Sequence, residues 1–141
     1  MRISTKCSIA IHCLVLIALL ADKHKVTSEL LALSTGSNAV IIRNIMGALK
    51  KAGIISISKG NEGTRLILEP KDINVWLVYS ALEAQPFKEL FGLHPAPNPK
   101  CPVGANIYHL LAESYEQIGN AMEKAMRAIS LKSIMQNFKQ N

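Results

Sequence analysis

Between Ser37 and Gly53 the chain carries apolar residues at every third or fourth position, Val40/Ile41, Ile45, Ala48/Leu49 and Ala52. Arg43, Asn44, Gly47, Lys50 and Lys51 fall between them. That is the period of a helix with one buried face. Lys50 and Lys51 put cations in its last turn, and Gly53 stands where a left-handed C-cap belongs. Ser37 or Asn38 supplies the N-cap. What flanks this helix narrows the fold. After it, Ile54–Ser58 and Thr64–Leu68 are short β-prone runs joined by Lys59-Gly60-Asn61-Glu62-Gly63, a β-hairpin that Pro70 ends. Before it, Ser34-Thr35-Gly36-Ser37 is a tight turn, and Thr27 can cap a helix over Ser28–Leu33 with Glu29 in its first turn. Thr5–Ala21 is a continuous apolar run of helix formers, expected to be buried on most sides. Helix, helix, tight turn, helix, hairpin is the winged helix-turn-helix order.

Beyond the hairpin, Asn74–Leu82 reads as a helix with Trp76 and Tyr79 packed inward. Pro86, Pro95, Pro97, Pro99 and Pro102 make 85–104 an irregular connector. A long helix is expected from Ala105 to about Ile129. Its apolar positions Ile107, Leu111, Tyr115, Ile118, Met122, Ala125 and Ile129 have heptad-like spacing, and nothing adjacent in sequence covers them. Such a stripe pairs with a partner helix, so a homodimer is expected. Leu131–Phe138 forms a short tail helix. The fold class expected is mainly α with a small β-hairpin. The head spans 1–84, the connector 85–104, and the dimerisation helix and tail 105–141.

Charge separates the two ends. Of 16 Lys/Arg and 10 Asp/Glu, residues 1–80 hold a surplus of cations and the remainder is close to balanced, so the positive field lies on the head. That suits an anionic partner such as double-stranded DNA. Three cysteines, Cys7, Cys13 and Cys101, are too few and too scattered for a secreted disulfide scaffold, and a reducing cytoplasm is the expected compartment. Arg2 and Lys6 ahead of an apolar stretch superficially resemble a signal peptide. The stretch is too short to span a bilayer, and Ser8 and His12 interrupt it, so a buried first helix is expected and no membrane partner.

DNA contacts are expected from three places. The start of the third helix, Ser37, Asn38 and Ala39, faces base edges in this motif, with Asn38 suited to adenine and Arg43 to guanine or phosphate. Ser37 and Asn38 are also cap residues, a role compatible with contact. The hairpin turn, with Lys59, Gly60 and Arg65, reads as a wing that can enter the minor groove. Arg2 and Lys6, at the start of a helix, are expected as phosphate clamps, and Ser28 completes the DNA-binding set. Catalysis finds no support: His12, His24, His94 and His109 have no metal-ligand spacing, and there is no Cys-x-x-Cys, phosphate-cradling glycine loop or nucleophile elbow. No enzyme, metal or cofactor is expected. Cys101, between Lys100 and Pro102 at a helix start, is either a reactive thiolate or an inert thiol packed at the dimer interface. Cys7 and Cys13 read as core residues.

Several segments, taken in order, resemble the bacterial regulator family that includes IscR, NsrR and CymR. They are Met1-Arg2-Ile3-Ser4-Thr5-Lys6, Leu49-Lys50-Lys51-Ala52-Gly53-Ile54-Ile55, the wing Lys59-Gly60-x-x-Gly63 with Leu66, Pro70-x-Asp72-Ile73, and Cys101-Pro102-Val103-Gly104. The resemblance covers almost the whole chain. It implies a dimer with crossing C-terminal helices and two heads on a palindromic site. By position it puts Asn38 and Arg43 in the recognition helix, Lys59 in the wing, and Arg2 and Lys6 at the phosphates. Two departures stand out. Cluster-bearing members carry three cysteines in the connector and this chain has Cys101 alone, fewer than a thiolate-ligated iron–sulfur cluster normally needs, so that a cluster, which is not expected, would require His94 or residues of a partner as further ligands. The wing has Thr64 where many members place an aromatic residue, and one glycine fewer. The expected function is therefore a sequence-specific DNA-binding transcription regulator, a repressor, with thiol responsiveness through Cys101. The alternative is a winged-helix dimer that binds a protein or small ligand instead of DNA, kept open by the apolar character of the recognition helix.

Overall fold

The computed structural model describes residues 4–83 and 91–138. Helices α1 (Lys6–Leu20), α2 (Ser28–Thr35) and α3 (Ala39–Lys51) are followed by an antiparallel pair of strands, β1 (Ile55–Ile57) and β2 (Thr64–Leu66). After a 3-10 turn at Pro70–Asp72 come α4 (Val75–Leu82), the long α5 (Pro102–Arg127) and the short α6 (Leu131–Met135). The fold is mainly helical with one small hairpin, a winged helix-turn-helix head carrying a long C-terminal helix.

Local chemistry sets the helix ends. The Thr27 hydroxyl accepts from the Leu30 amide at 3.2 Å, and the Asn38 side-chain oxygen accepts from the Ile41 amide at 2.9 Å. Of the two candidate caps for α3 it is thus Asn38 that acts, satisfying an amide the helix itself cannot pair. Gly53, at φ 76°, ends the helix in the left-handed region.

The core is shared by every element of the head. Ala10, Cys13, Leu14 and Ile17 of α1 are fully buried against Leu31 of α2, Ile42 and Leu49 of α3, and Ile54, Ile55 and Ile73 beyond. The signal-like N-terminal stretch is thus a core helix. Within α3 the buried face differs from the expected one. Ile42, Ile45, Met46 and Leu49 turn inward, while Val40 and Ile41 are exposed and Ala52 lies at the surface. Both sets fit a helical face, and the set with Ile42 and Met46 wins because it removes more apolar area from water than Ala48 and Ala52 can.

The hairpin is pinned to the head at its root. β1 and β2 pair Ile55 with Leu66, Ser56 with Arg65 and Ile57 with Thr64. The Thr64 amide donates to the Val26 carbonyl at 3.0 Å, which attaches the link before α2 as a third edge. Gly63 makes this possible. Its φ is +65°, and a Cβ there would lie 2.8 Å from both the Val26 oxygen and Lys25 Cγ.

α5 begins at Pro102, three residues earlier than the spacing indicates, with proline in the first turn where its missing N–H costs nothing. At 26 residues it is about 39 Å long. Its far end rejoins the head: the Val75 amide donates to the Ile129 carbonyl, and the Leu131 amide donates to the Ile73 carbonyl at 2.7 Å. Leu131 is 2% exposed and belongs to the head's core. The segment expected as one C-terminal unit is therefore split, with α5 standing out and α6 packed on α1 and the 3-10 turn. Arg127 lies over the Trp76 ring at 5.4 Å and holds the junction. Tyr79 packs inward as expected, and Trp76 is half-buried. Among the described residues, no helix is long and apolar enough to cross a membrane.

Candidate nucleic-acid interface

The start of α2, the outer side of α3 and the root of the hairpin enclose a groove of about 430 Å³. Its walls are set by the packing just described. Because Ile42, Ile45, Met46 and Leu49 fix the inner face of α3, Arg43, Gly47 and Lys50 must project outward. Because Gly63 and Thr64 are tied to Val26, Ile57 and Ser58 of the wing stand opposite them. Ser28 and Lys25 close the end. Three cations, Lys25, Arg43 and Lys50, thus converge on one groove that has glycine at Gly47 and no bulky side chain there to obstruct a backbone.

The residues singled out from sequence divide into those the structure brings together and those it does not. Ser28 and Arg43 line the groove, and Arg43 Nε also donates to the Ala39 carbonyl at 3.2 Å, which holds the guanidinium along the outer face of α3. Asn38 is exposed at the start of α3, with Ser37 and Ala39 half-buried beside it, outside the groove. Lys59 and Gly60 are exposed in the turn between the strands, where the Ser58 hydroxyl accepts from the Gly60 amide at 3.2 Å. Lys6 is exposed at the start of α1; Arg2 lies outside the described residues. Arg65 departs from the expectation of a free wing cation. It makes a 3.0 Å ion pair with Asp22, and the two side chains are 38% and 91% exposed. Pairing across from Ser56 turns Arg65 toward the link after α1, so in this structure it ties the wing to the head.

Sequence reasoning missed Lys25, Lys50 as a groove residue, and Val40. Val40 is an apolar side chain 61% exposed on the outer face of α3. Its signal, an apolar residue in the first turn just after the cap, is indistinguishable in sequence from a core position.

The apolar band of α5 is broader than the heptad stripe and is half covered. Ile107, Leu111, Tyr115 and Met122 are half-buried by the chain itself, Tyr115 stacking on Phe91 with ring centroids 4.6 Å apart. Ile118, Ala125 and Ile129 are exposed, and so are Val103 and Leu110, at 61% and 58%. At 100° per residue Val103, Ile107, Leu110, Ile118, Ala121 and Ala125 fall within an arc of about 80°. No residue of α5 is buried.

Of the thiols, Cys13 is buried and pushed up to about 11 by that burial, and Cys7 is raised for the same reason. Cys101 is exposed and lies below the ordinary thiol value because the backbone amides of Gly104, and then Val103, favour the anion. Burial thus disfavours the thiolate at Cys13 and Cys7, and backbone amides favour it at Cys101.

A head of this construction defines the winged helix-turn-helix class of DNA-binding regulators. The chain matches the Rrf2 family, described as an iron-dependent transcriptional regulator, over residues 3–137. It is 40% identical over 133 residues to Bacillus subtilis (strain 168) YwnA, provisionally named an HTH-type transcriptional regulator, covering 94% of this chain and 96% of that protein. It superposes with a TM-score of 0.74 and 36% identity on the crystal structure of a protein provisionally described as DNA-binding, covering 92% of this chain and 98% of the other. CymR, the global cysteine regulator of B. subtilis, shares the fold at TM-score 0.73 and 16% identity, each chain covered to 99%. The chain belongs to the Rrf2 family: it is a DNA-binding transcription regulator and not an enzyme. Among the described residues, the iron in the family description finds no matching donor set. Among the described residues no three His, Cys, Asp or Glu side chains come together to hold a metal ion, and Cys101 stands alone at its helix start.

Proposed function

We propose that the protein is a homodimeric repressor that grips a palindromic operator with two heads, working in a reducing cytoplasm. The observation that carries this reading is the convergence of Lys25, Arg43 and Lys50 on the groove beside the recognition helix. In it, Arg43 reads guanine or meets phosphate, and Asn38, Ser37, Ala39 and Val40 address base edges at the start of α3. Lys59 and Gly60 follow the minor groove, and Ser28, Lys6 and Arg2 hold phosphates. The uncovered strip of α5 pairs with the same strip of a second copy, setting two heads on half-sites about one helical turn apart. Repression follows if the occupied site overlaps a promoter. Cys101 provides the finer control: oxidation of its exposed thiol by a peroxide, at the start of the helix that sets head spacing, shifts the dimer's fit to DNA.

Selection from a pool of random duplexes tests the reading. An enriched inverted repeat, bound with a steep negative slope in log affinity against log salt, is the expected result. No enriched sequence, or affinity indifferent to salt, contradicts it. Repeating the measurement with peroxide on wild type and Cys101→Ser tests the control step. Loss of binding in wild type alone is expected, and equal loss in both assigns the effect elsewhere.

A further inference from the structure

Two residues on the outer face of α3 answer to nothing inside the fold. Ile42, Ile45, Met46 and Leu49 mark the buried side of the helix, and at 100° per residue Val40 lies nearly opposite their centre. It is 61% exposed. Gly47 follows about two turns further along the same ridge. Its backbone is ordinary helix, and a Cβ there would meet nothing within 4 Å. Neither packing nor backbone geometry asks for a β-branched residue at the first position or glycine at the second, and alanine makes a better helix at both. The two share an arc of about 80° with Arg43 and Lys50, which line the groove together with Gly47. A strip bordered by those cations suits a polyanion rather than an apolar protein surface.

We propose that Val40 is a specificity-determining residue that selects thymine through its C5 methyl group, with Gly47 letting α3 seat closely enough for the contact. The inference rests on the DNA-binding reading above and names a base that the site selects. Charge and hydrogen bonding in the groove come from Lys25, Ser28, Glu29, Arg43 and Lys50. At the start of α3 the polar atoms are already turned to the backbone. The Asn38 side-chain oxygen accepts from the Ile41 amide at 2.9 Å, and Arg43 Nε donates to the Ala39 carbonyl at 3.2 Å. Val40 is the first-turn side chain directed straight away from the core, and it offers apolar contact alone. The major groove presents one apolar group to meet it, the thymine methyl. The side chain missing at Gly47 lets the helix backbone approach the same surface.

The test uses the duplex that wild type selects from a random pool, with thymidine replaced by deoxyuridine one position at a time. That exchange removes the methyl and leaves the charge and the hydrogen-bonding edge of the base unchanged. For wild type, one thymine in each half-site is expected to cost about fourfold in affinity, and about fifteenfold when both half-sites are changed together. For Val40→Ala, which places a better helix former at an exposed site, affinities for the thymine and deoxyuridine duplexes are expected to agree within about twofold. Arg43→Ala is expected to weaken binding to both duplexes and to keep the wild-type ratio between them. No thymine whose methyl matters, a methyl effect that survives in Val40→Ala, or its equal loss in Arg43→Ala would overturn the proposal and leave DNA binding standing. Failure of wild type to enrich any duplex overturns the DNA-binding reading and this inference with it, so the two failures are distinct.

Discussion

The head and the long helix α5 are both amphipathic and helical, yet one is finished within the chain and the other is not. In the head, helices of 15, 8 and 13 residues close on a core in which Leu14, Ile17, Leu31, Ile42 and Leu49 have no exposure at all. α5 is longer than any of them, and none of its residues is buried. The difference lies in what is available to cover each face. Three short helices joined by tight turns cover one another, whereas a helix about 39 Å long outruns the single short α4 beside it. The inner edge of its apolar band rests on the chain, and the outer edge, Val103, Leu110 and Ile118, is left to water. An apolar strip of that length in water is the mark of an interaction surface.

Substitutions can break this comparison, beginning with the largest effect. Leu14→Ala, in the middle of the closed core, is expected to lower stability by about 3 to 4 kcal/mol, read from the chemical-denaturation midpoint. Leu110→Ala, on the open strip, measured at concentrations low enough to keep the protein monomeric, should leave the head's stability within about 0.5 kcal/mol. Comparable losses would mean that α5 is buried in the folded unit and that the contrast is false. Charges on the strip go further. Leu110→Glu with Ile118→Glu is expected to yield a folded monomer by sedimentation, with operator affinity down about a hundredfold once the second head no longer binds as part of one body. Within the head, Arg43→Ala should weaken operator binding by about 1 to 3 kcal/mol. An unchanged titration would move the interface off the groove.

The smallest effect concerns the thiols and leaves stability untouched. Because the amides of Gly104 and Val103 hold Cys101 below the ordinary thiol value, its thiolate forms at lower pH and alkylation accelerates as pH rises through that lowered value. Cys13, at about 11, stays protonated over the same range and is shielded by burial. Mass spectrometry of the native protein treated with iodoacetamide at pH 7 to 8 should find the label on Cys101 and none on Cys13. Equal labelling would place the two thiols in like surroundings.

Much of the head was legible because its signals are local. Thr27, Asn38 and Gly53 mark helix ends through contacts within four residues, and the 3.6-residue period marks a buried face. What escaped depends on residues far apart in sequence. Asp22 pairs with Arg65 across 43 positions, a contact between wing and head that no local signal announces. Leu131 enters the core through a bond to Ile73, and nothing in a five-residue tail helix announces that return. On α3, Ile42 and Met46 displaced Ala48 and Ala52 from the inner face, which freed Val40 for the outside. On α5 the heptad reading found the band but not its division, because which edge is covered depends on Phe91 and α4. The groove was half legible: Ser28 and Arg43 followed from motif position, whereas Lys25, Lys50 and Glu29 joined it only through the tie between Val26 and the wing.

Sedimentation equilibrium of the protein with its selected duplex asks whether the uncovered strip of α5 joins two heads on one operator. A mass of two chains on one duplex is expected for wild type, and no such complex for Leu110→Glu with Ile118→Glu at the same concentrations. A single wild-type chain saturating the duplex, or an unchanged two-chain complex in the variant, would contradict it.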